Sequence, residues 1–226
     1  MNILFVGNSF TYFYDVPYLF EEYGNRAGLD LSVDALTKGG WTLGQFGDIQ
    51  DDYGKKLREL LNSGKKYDRV ILQEQSSLPI RNYSYFAESI EILLKLIYDN
   101  NPQADVTLYA TWGYKDGHED LIPLSLNSKQ MMEGLKIAYH KAAEQFSLKV
   151  VDVGEAFYLL QRDSELDPYY KDLKHPSIVG STLSAFMHLY FQFPQLKEED
   201  LDLPHLPDKK EGAVVRNLAY TLVRGL

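Results

Sequence analysis

Asn2-Ile3-Leu4-Phe5-Val6-Gly7-Asn8-Ser9 opens the chain with an apolar run that closes on a glycine and then turns polar. Residues 2–6 are rich in strand formers and bounded by Gly7, and so read as a buried first strand. A helix is expected to follow: Asp15 can cap it, Pro17 suits its first turn, and Tyr18, Leu19, Phe20 and Tyr23 recur at helical spacing before a stop near Gly28. The alternation then repeats. Strands are expected at residues 29–36, 69–72, 106–110 and 149–153. Helices are expected at residues 51–61, 84–98, 129–146, 156–161, 178–191 and 211–226. Parallel strands need long crossover connections, so this alternation implies a parallel sheet covered on both faces. The expectation is a single α/β domain over residues 1–226, a three-layer α/β/α arrangement with a five-stranded parallel sheet in flavodoxin-like order. The most linker-like stretch, residues 194–210, contains Asp202-Leu203-Pro204 and Leu206-Pro207 and leads into the last helix.

A chain of 226 residues, 45% hydrophobic and 24% charged, fits one core. No stretch approaches the roughly 20 apolar residues of a membrane span, and residues 3–6 are too short and lack the basic flank of a signal peptide. As written the chain reads as soluble and cytoplasmic, and a secreted or periplasmic protein trimmed of its leader would read the same. The absence of cysteine excludes disulfides, thiolate metal sites and a thiol nucleophile, so any nucleophile is an oxygen or an amine. A net charge of -9 without a basic cluster argues against nucleic acid as partner. His118, in Asp116-Gly117-His118-Glu119-Asp120, lacks a second histidine nearby and reads as a solvated loop residue. No metal and no cofactor are expected.

In an open α/β sheet, ligands bind beyond the carboxyl ends of the strands. Four loops there are unusual: Gly7-Asn8-Ser9-Phe10-Thr11, Lys38-Gly39-Gly40-Trp41-Thr42, Gln73-Glu74-Gln75-Ser76-Ser77 and Asp172-Leu173-Lys174-His175-Pro176-Ser177. Each alone is a common turn. Together they supply a hydroxyl, an imidazole, a carboxylate and backbone or amide donors, which is what acyl transfer requires.

These blocks resemble the SGNH (GDSL-like) hydrolase superfamily, whose members carry Ser, Gly, Asn and His in separate segments of a flavodoxin-like fold. Gly7-Asn8-Ser9 matches the Gly-Asp-Ser block with Asn8 for the aspartate, which implies Ser9 as nucleophile and its N–H as an oxyanion donor. The second block implies a backbone donor at Gly40, with Gly39 the alternative register. The third block, usually Gly-x-Asn-Asp, is replaced by Gln73-Glu74-Gln75-Ser76, which puts the longer Gln75 where the asparagine stands. Asp172-Leu173-Lys174-His175-Pro176 matches the last block in full and implies His175 as base and Asp172 as its orienting acid. The variant blocks are similar to those of a bacterial branch of SGNH-like proteins.

The resemblance implies a serine esterase for small esters, with short acyl groups such as acetyl on a carbohydrate as the expected substrate. The alternatives are a glycan-binding protein that has lost hydrolysis, an acyltransferase, and a lipase-type acyl hydrolase. Trp41, Trp112 and Tyr114 follow strands and form a candidate aromatic wall for a sugar ring, or else cover the edge of the core. Ser76 and Ser77 rank below Ser9 as nucleophiles. His140, His188 and His205 are assigned packing or surface roles, and Tyr12, Phe13 and Tyr14 are assigned none.

Overall fold

Strand β1 (Asn2–Gly7) is an inner strand, next to the edge, of a five-stranded sheet of order β2-β1-β3-β4-β5, with β2 at Ser32–Thr37, β3 at Arg69–Leu72, β4 at Asp105–Ala110 and β5 at Lys149–Asp152. All four pairings are parallel. Ile3, Leu4, Phe5 and Val6 are at most 1% exposed, as a strand covered on both faces requires. The structure, a computed structural model, describes residues 1–202, 206 and 208–225. His205 and the prolines of the expected linker at 204 and 207, with the last residue of the expected final helix, lie outside the described residues.

The helices, in chain order, are α1 (Ser9–Tyr12), α2 (Val16–Arg26), α3 (Leu43–Gly47), α4 (Asp52–Asn62), α5 (Leu78–Arg81), α6 (Tyr83–Asn100), α7 (Ser128–Phe146), α8 (Val153–Asp163), α9 (Ile178–Gln192) and α10 (Lys209–Arg224). Helices α2, α8 and α10 gather around α9, while α3, α4, α5 and α7 gather around α6 or its neighbours, giving the expected three layers. Strand order turns at β1, whose neighbours β2 and β3 follow it on opposite sides. Connections from that point leave toward different faces and open a crevice at the carboxyl edge. Val6 pairs with Leu72, so the segments that follow β1 and β3 emerge side by side.

The main departures from the sequence reading are three short helices and the start of one strand. Helices α1, α3 and α5 are single turns of four or five residues, too short for periodicity to register. Strand two begins at Ser32 because Asn25 accepts the N–H of Leu31 at 2.7 Å and Gly28 has turned the chain with φ +83°.

Helix α9 is buried along nearly all of its length and carries His188, 0% exposed, edge-on to Phe5 and Tyr109 with ring centroids 5.7 and 4.5 Å away. Burial pushes this imidazole down to about 3, and neither ring nitrogen has a hydrogen-bond partner. The unfolded chain takes up that proton below about pH 6.5, whereas the fold resists it. Stability from this residue is therefore complete above pH 6.5 and is lost as pH falls toward 3, with a slope of at most about 1.4 kcal/mol per pH unit. The drop in Tm between pH 7 and pH 5 is expected to shrink in His188→Leu. An unchanged drop would assign the acid sensitivity elsewhere.

Candidate active site

Ser9 is the first residue of α1, one turn of helix that begins directly beyond β1. The approach is tight. A β-carbon on Gly7 would lie 2.5 Å from Thr11 Oγ1 and 2.7 Å from Gln73 Oε1, so no other residue fits there. Gln73 Oε1 accepts from the Asn8 N–H at 2.8 Å and the Thr11 hydroxyl at 2.9 Å, fastening the nucleophile turn to β3. Asn8 Oδ1 accepts from Phe10 N at 3.2 Å, and its Nδ2 donates to the Trp41 carbonyl at 3.0 Å. An aspartate could make only the first of these bonds. Asn8→Asp is expected to cost about 1–3 kcal/mol by setting a carboxylate against that carbonyl, as measured by urea unfolding.

His175 Nε2 lies 2.9 Å from Ser9 Oγ, and His175 Nδ1 lies 2.7 Å from Asp172 Oδ2. The other carboxylate oxygen accepts the backbone N–H groups of His175 at 2.9 Å and Lys174 at 3.1 Å. Partial burial opposes ionisation of Asp172, but the bonds from the imidazole and the two amides outweigh it and hold the acid below its usual range. The loop is itself fastened. Tyr170 N donates to His175 O at 2.7 Å, Ser177 N to Pro168 O at 2.8 Å, and Lys115 N to Leu173 O at 2.9 Å.

Gly40 holds φ +75° in the turn closed by Trp41 N donating to Lys38 O at 3.1 Å, a conformation that favours glycine. Among the described residues the N–H groups of Ser9 and Gly40 donate to no protein acceptor. Ser9, Gly39, Gly40, Gln75 and His175 line one cleft of about 400 Å³. Gln75 is held there by its own segment: Oε1 accepts from Ser77 N at 3.2 Å and Leu78 N at 3.1 Å, and Nε2 donates to Ser76 Oγ at 3.1 Å. A primary amide carries two N–H bonds, which leaves one for a ligand.

Beneath this wall lies Glu74, 0% exposed. Its Oε1 accepts from Gln75 N at 2.5 Å and Leu43 N at 3.0 Å, tying the third block to the helix after the second. Burial pushes its carboxyl up to about 8 against the pull of those two N–H groups, so it is mostly neutral at pH 7.

The aromatic wall is corrected. Trp112 is 0% exposed, sandwiched between Phe10 at 4.5 Å and Phe157 at 3.8 Å, with its Nε1 donating to the Lys174 carbonyl at 2.9 Å. It pins the His175 loop from below and has no face for a sugar. Tyr114 is 1% exposed and spends its hydroxyl on Ser76 Oγ at 2.6 Å. Trp41 is half-buried outside the cleft lining and donates to Asp51 Oδ1 at 3.2 Å. Tyr12 and Phe13 line the cleft instead, and Phe13 stacks on His175 with centroids 4.1 Å apart and planes 9° from parallel. Phe13 stands four residues after Ser9, so their helical spacing is the signal that could have found it. His118 Nδ1 accepts from Asp120 N at 3.1 Å and caps the following turn.

No protein-family model matches the chain, and no curated protein matches it. Among solved structures, it is similar to a candidate SGNH hydrolase from Slackia heliotrinireducens, 26% identical, with a TM-score of 0.71 over 82% of this chain and 95% of that one. The chain belongs to the SGNH hydrolase superfamily. A DUF4886 family protein from Bacteroides uniformis shares this SGNH-superfamily fold over 99% of this chain and 95% of that one, at TM-score 0.86 and 18% identity. An acetyl-xylooligosaccharide esterase from Geobacillus shares the SGNH fold at TM-score 0.59 and 14% identity, over 89% of this chain and 96% of that one. No helix among the described residues of this SGNH-superfamily protein is long and apolar enough to cross a membrane.

Proposed function

We propose that the protein is a serine carboxylic-ester hydrolase that turns over small esters through an acyl-enzyme on Ser9. The hydrogen-bonded chain from Ser9 Oγ through the His175 ring to Asp172, opening on one cleft, carries this reading. His175 Nε2 takes the Ser9 proton as Oγ attacks the carbonyl, and Asp172 fixes the tautomer and stabilises the imidazolium. The N–H groups of Ser9 and Gly40 and the Gln75 amide receive the oxyanion. The imidazolium then protonates the leaving alcohol, and water, activated by the same ring, releases the acid.

A short acyl group on a carbohydrate is the substrate this site favours. The cleft of about 400 Å³ accommodates an acetyl group, polar groups share its lining, and Tyr12 in that lining is 41% exposed and so available to a sugar ring. The fold shared with an acetyl-xylooligosaccharide esterase points the same way. A series of p-nitrophenyl esters from acetate to octanoate is expected to show kcat/KM greatest at two to four carbons, and a maximum at octanoate would overturn the short-acyl reading.

The bond from Gln75 Nε2 to Ser76 Oγ favours a second reading, a glycan-binding protein with a weakened oxyanion hole. A fluorophosphonate probe separates the two. One probe bound per chain, at Ser9, supports the esterase, whereas folded protein that takes up none is a binding protein. Gln75→Ala is expected to lower kcat about a hundredfold, the worth of one such donor. An unchanged kcat would remove Gln75 from the hole.

A further inference from the structure

Past Gln75 and Lys174 the active-site cleft adjoins a second one of about 330 Å³, which shares those two residues and is further lined by Ser77, Arg81, Tyr114 and Asp120. We propose that this second cleft is a subsite for a carboxylate carried by the ester substrate, with Arg81 as the residue that reads it. The inference rests on the esterase reading of the Ser9 site.

Not all the donors that line this cleft are engaged within the protein. Lys174 Nζ meets Asp120 Oδ2 at 3.0 Å, so the carboxylate facing the cleft already has its cation. Lys174 also lies over the Tyr114 ring, 4.9 Å from its centroid. Burial works against the charge on Lys174, but the bond to Asp120 and the neighbouring Tyr114 outweigh it and keep the ammonium protonated. Arg81, exposed at the end of α5, makes no salt bridge and no side-chain hydrogen bond among the described residues, and acts on Asp120 only through its field, the smallest of the pulls that hold that acid below its usual range. Ser77 is 5% exposed, lines the cleft, and its side chain makes no capping bond to α5.

Among the described residues the cleft therefore presents a guanidinium and a hydroxyl without hydrogen-bond partners, and one excess positive charge after Lys174 and Arg81 are set against Asp120, on a protein whose net charge is -9. A hydroxyl-rich neutral ligand would use the donors but not the charge. A planar carboxylate uses both, because the guanidinium fork matches its two oxygens. Lys174 immediately precedes His175, so a carboxylate held there belongs to the molecule whose ester lies at Ser9.

Two acetyl esters that differ chiefly in this charge, 4-acetoxybenzoate and its methyl ester, followed by acetate release, test the subsite with the full-length protein. Wild type is expected to prefer the carboxylate about tenfold in kcat/KM. Arg81→Gln is expected to lose that preference while hydrolysing the methyl ester within about twofold of wild type, and Arg81→Lys is expected to keep part of it. A preference that Arg81→Gln leaves unchanged, or no preference in wild type, overturns the subsite. Should neither ester be hydrolysed, the esterase reading falls and calorimetry with glucuronate and methyl glucoside decides the subsite alone. Glucuronate binding that Arg81→Gln weakens about tenfold supports it, and binding that is absent, or equal for the two sugars, overturns it.

Discussion

Ser9→Ala is expected to lower kcat for p-nitrophenyl acetate about a millionfold, leaving only the residual rate that binding and the oxyanion donors sustain. The loss is large because the nucleophile and its base act as a unit: among the described residues the imidazole 2.9 Å from Ser9 Oγ has no other hydroxyl in hydrogen-bond contact to activate. Ser76 is no substitute, since its Oγ is bound to Tyr114 at 2.6 Å and to Gln75 at 3.1 Å. His175→Ala is expected to match it, and the double variant to be no worse than either single one. Single-turnover measurements with active-site titration check this, because trace contamination by an active esterase would otherwise set the floor. Wild-type turnover in either variant would refute the nucleophile assignment outright.

The second large effect belongs to Asp172. Asp172→Asn keeps the shape but offers a donor or a weaker acceptor to His175 Nδ1, so the ring no longer holds the tautomer that presents Nε2 to Ser9 as an acceptor. In a buried triad that exchange costs about ten-thousandfold. The Asp172 side chain is 38% exposed, water can solvate the imidazolium in part, and about a thousandfold is expected here. Two amides of the same loop also bond Oδ1, so Asp172→Ala is expected to lose loop order as well as rate. Comparing the two variants by kcat and by Tm separates tautomer control from anchoring.

The sheet was legible because most strands are short, largely apolar runs between polar or glycine stops, the mixed edge strand β2 being the exception, and residues 69–72 were delimited without error. The His175 block was legible because its acid, base and proline lie within five residues. Ser9 and His175 stand 166 positions apart, and only the parallel order of the strands gave them a reason to meet. Other features of the site arise from contacts that no local pattern encodes. Trp112 reads from the sequence as either a sugar-facing ring or a cover for the core, and the second is what the fold uses: the indole is 0% exposed, and the chain beside it passes so close to α7 that a β-carbon on Gly113 would lie 2.3 Å from Ser128 O. Phe13 was hidden by its company, in a run of four aromatics between Phe10 and Tyr14. Arg81 ends a single turn of helix that sequence periodicity does not resolve.

The bond from Asn8 to the Trp41 carbonyl changes what the first block of such a chain has to spell. A search string written as Gly-Asp-Ser asks for an acid, whereas this turn needs an acceptor for Phe10 N on one arm and a donor on the other. Among small side chains only the asparagine amide carries the acceptor and the donor on separate arms. Where that amide links two loops, exchanging it for aspartate is not a one-letter synonym but half of a paired change, the other half being a different path for the Lys38–Trp41 turn. Chains of this build are better sought by the geometry of the linked loops than by the spelling of either one.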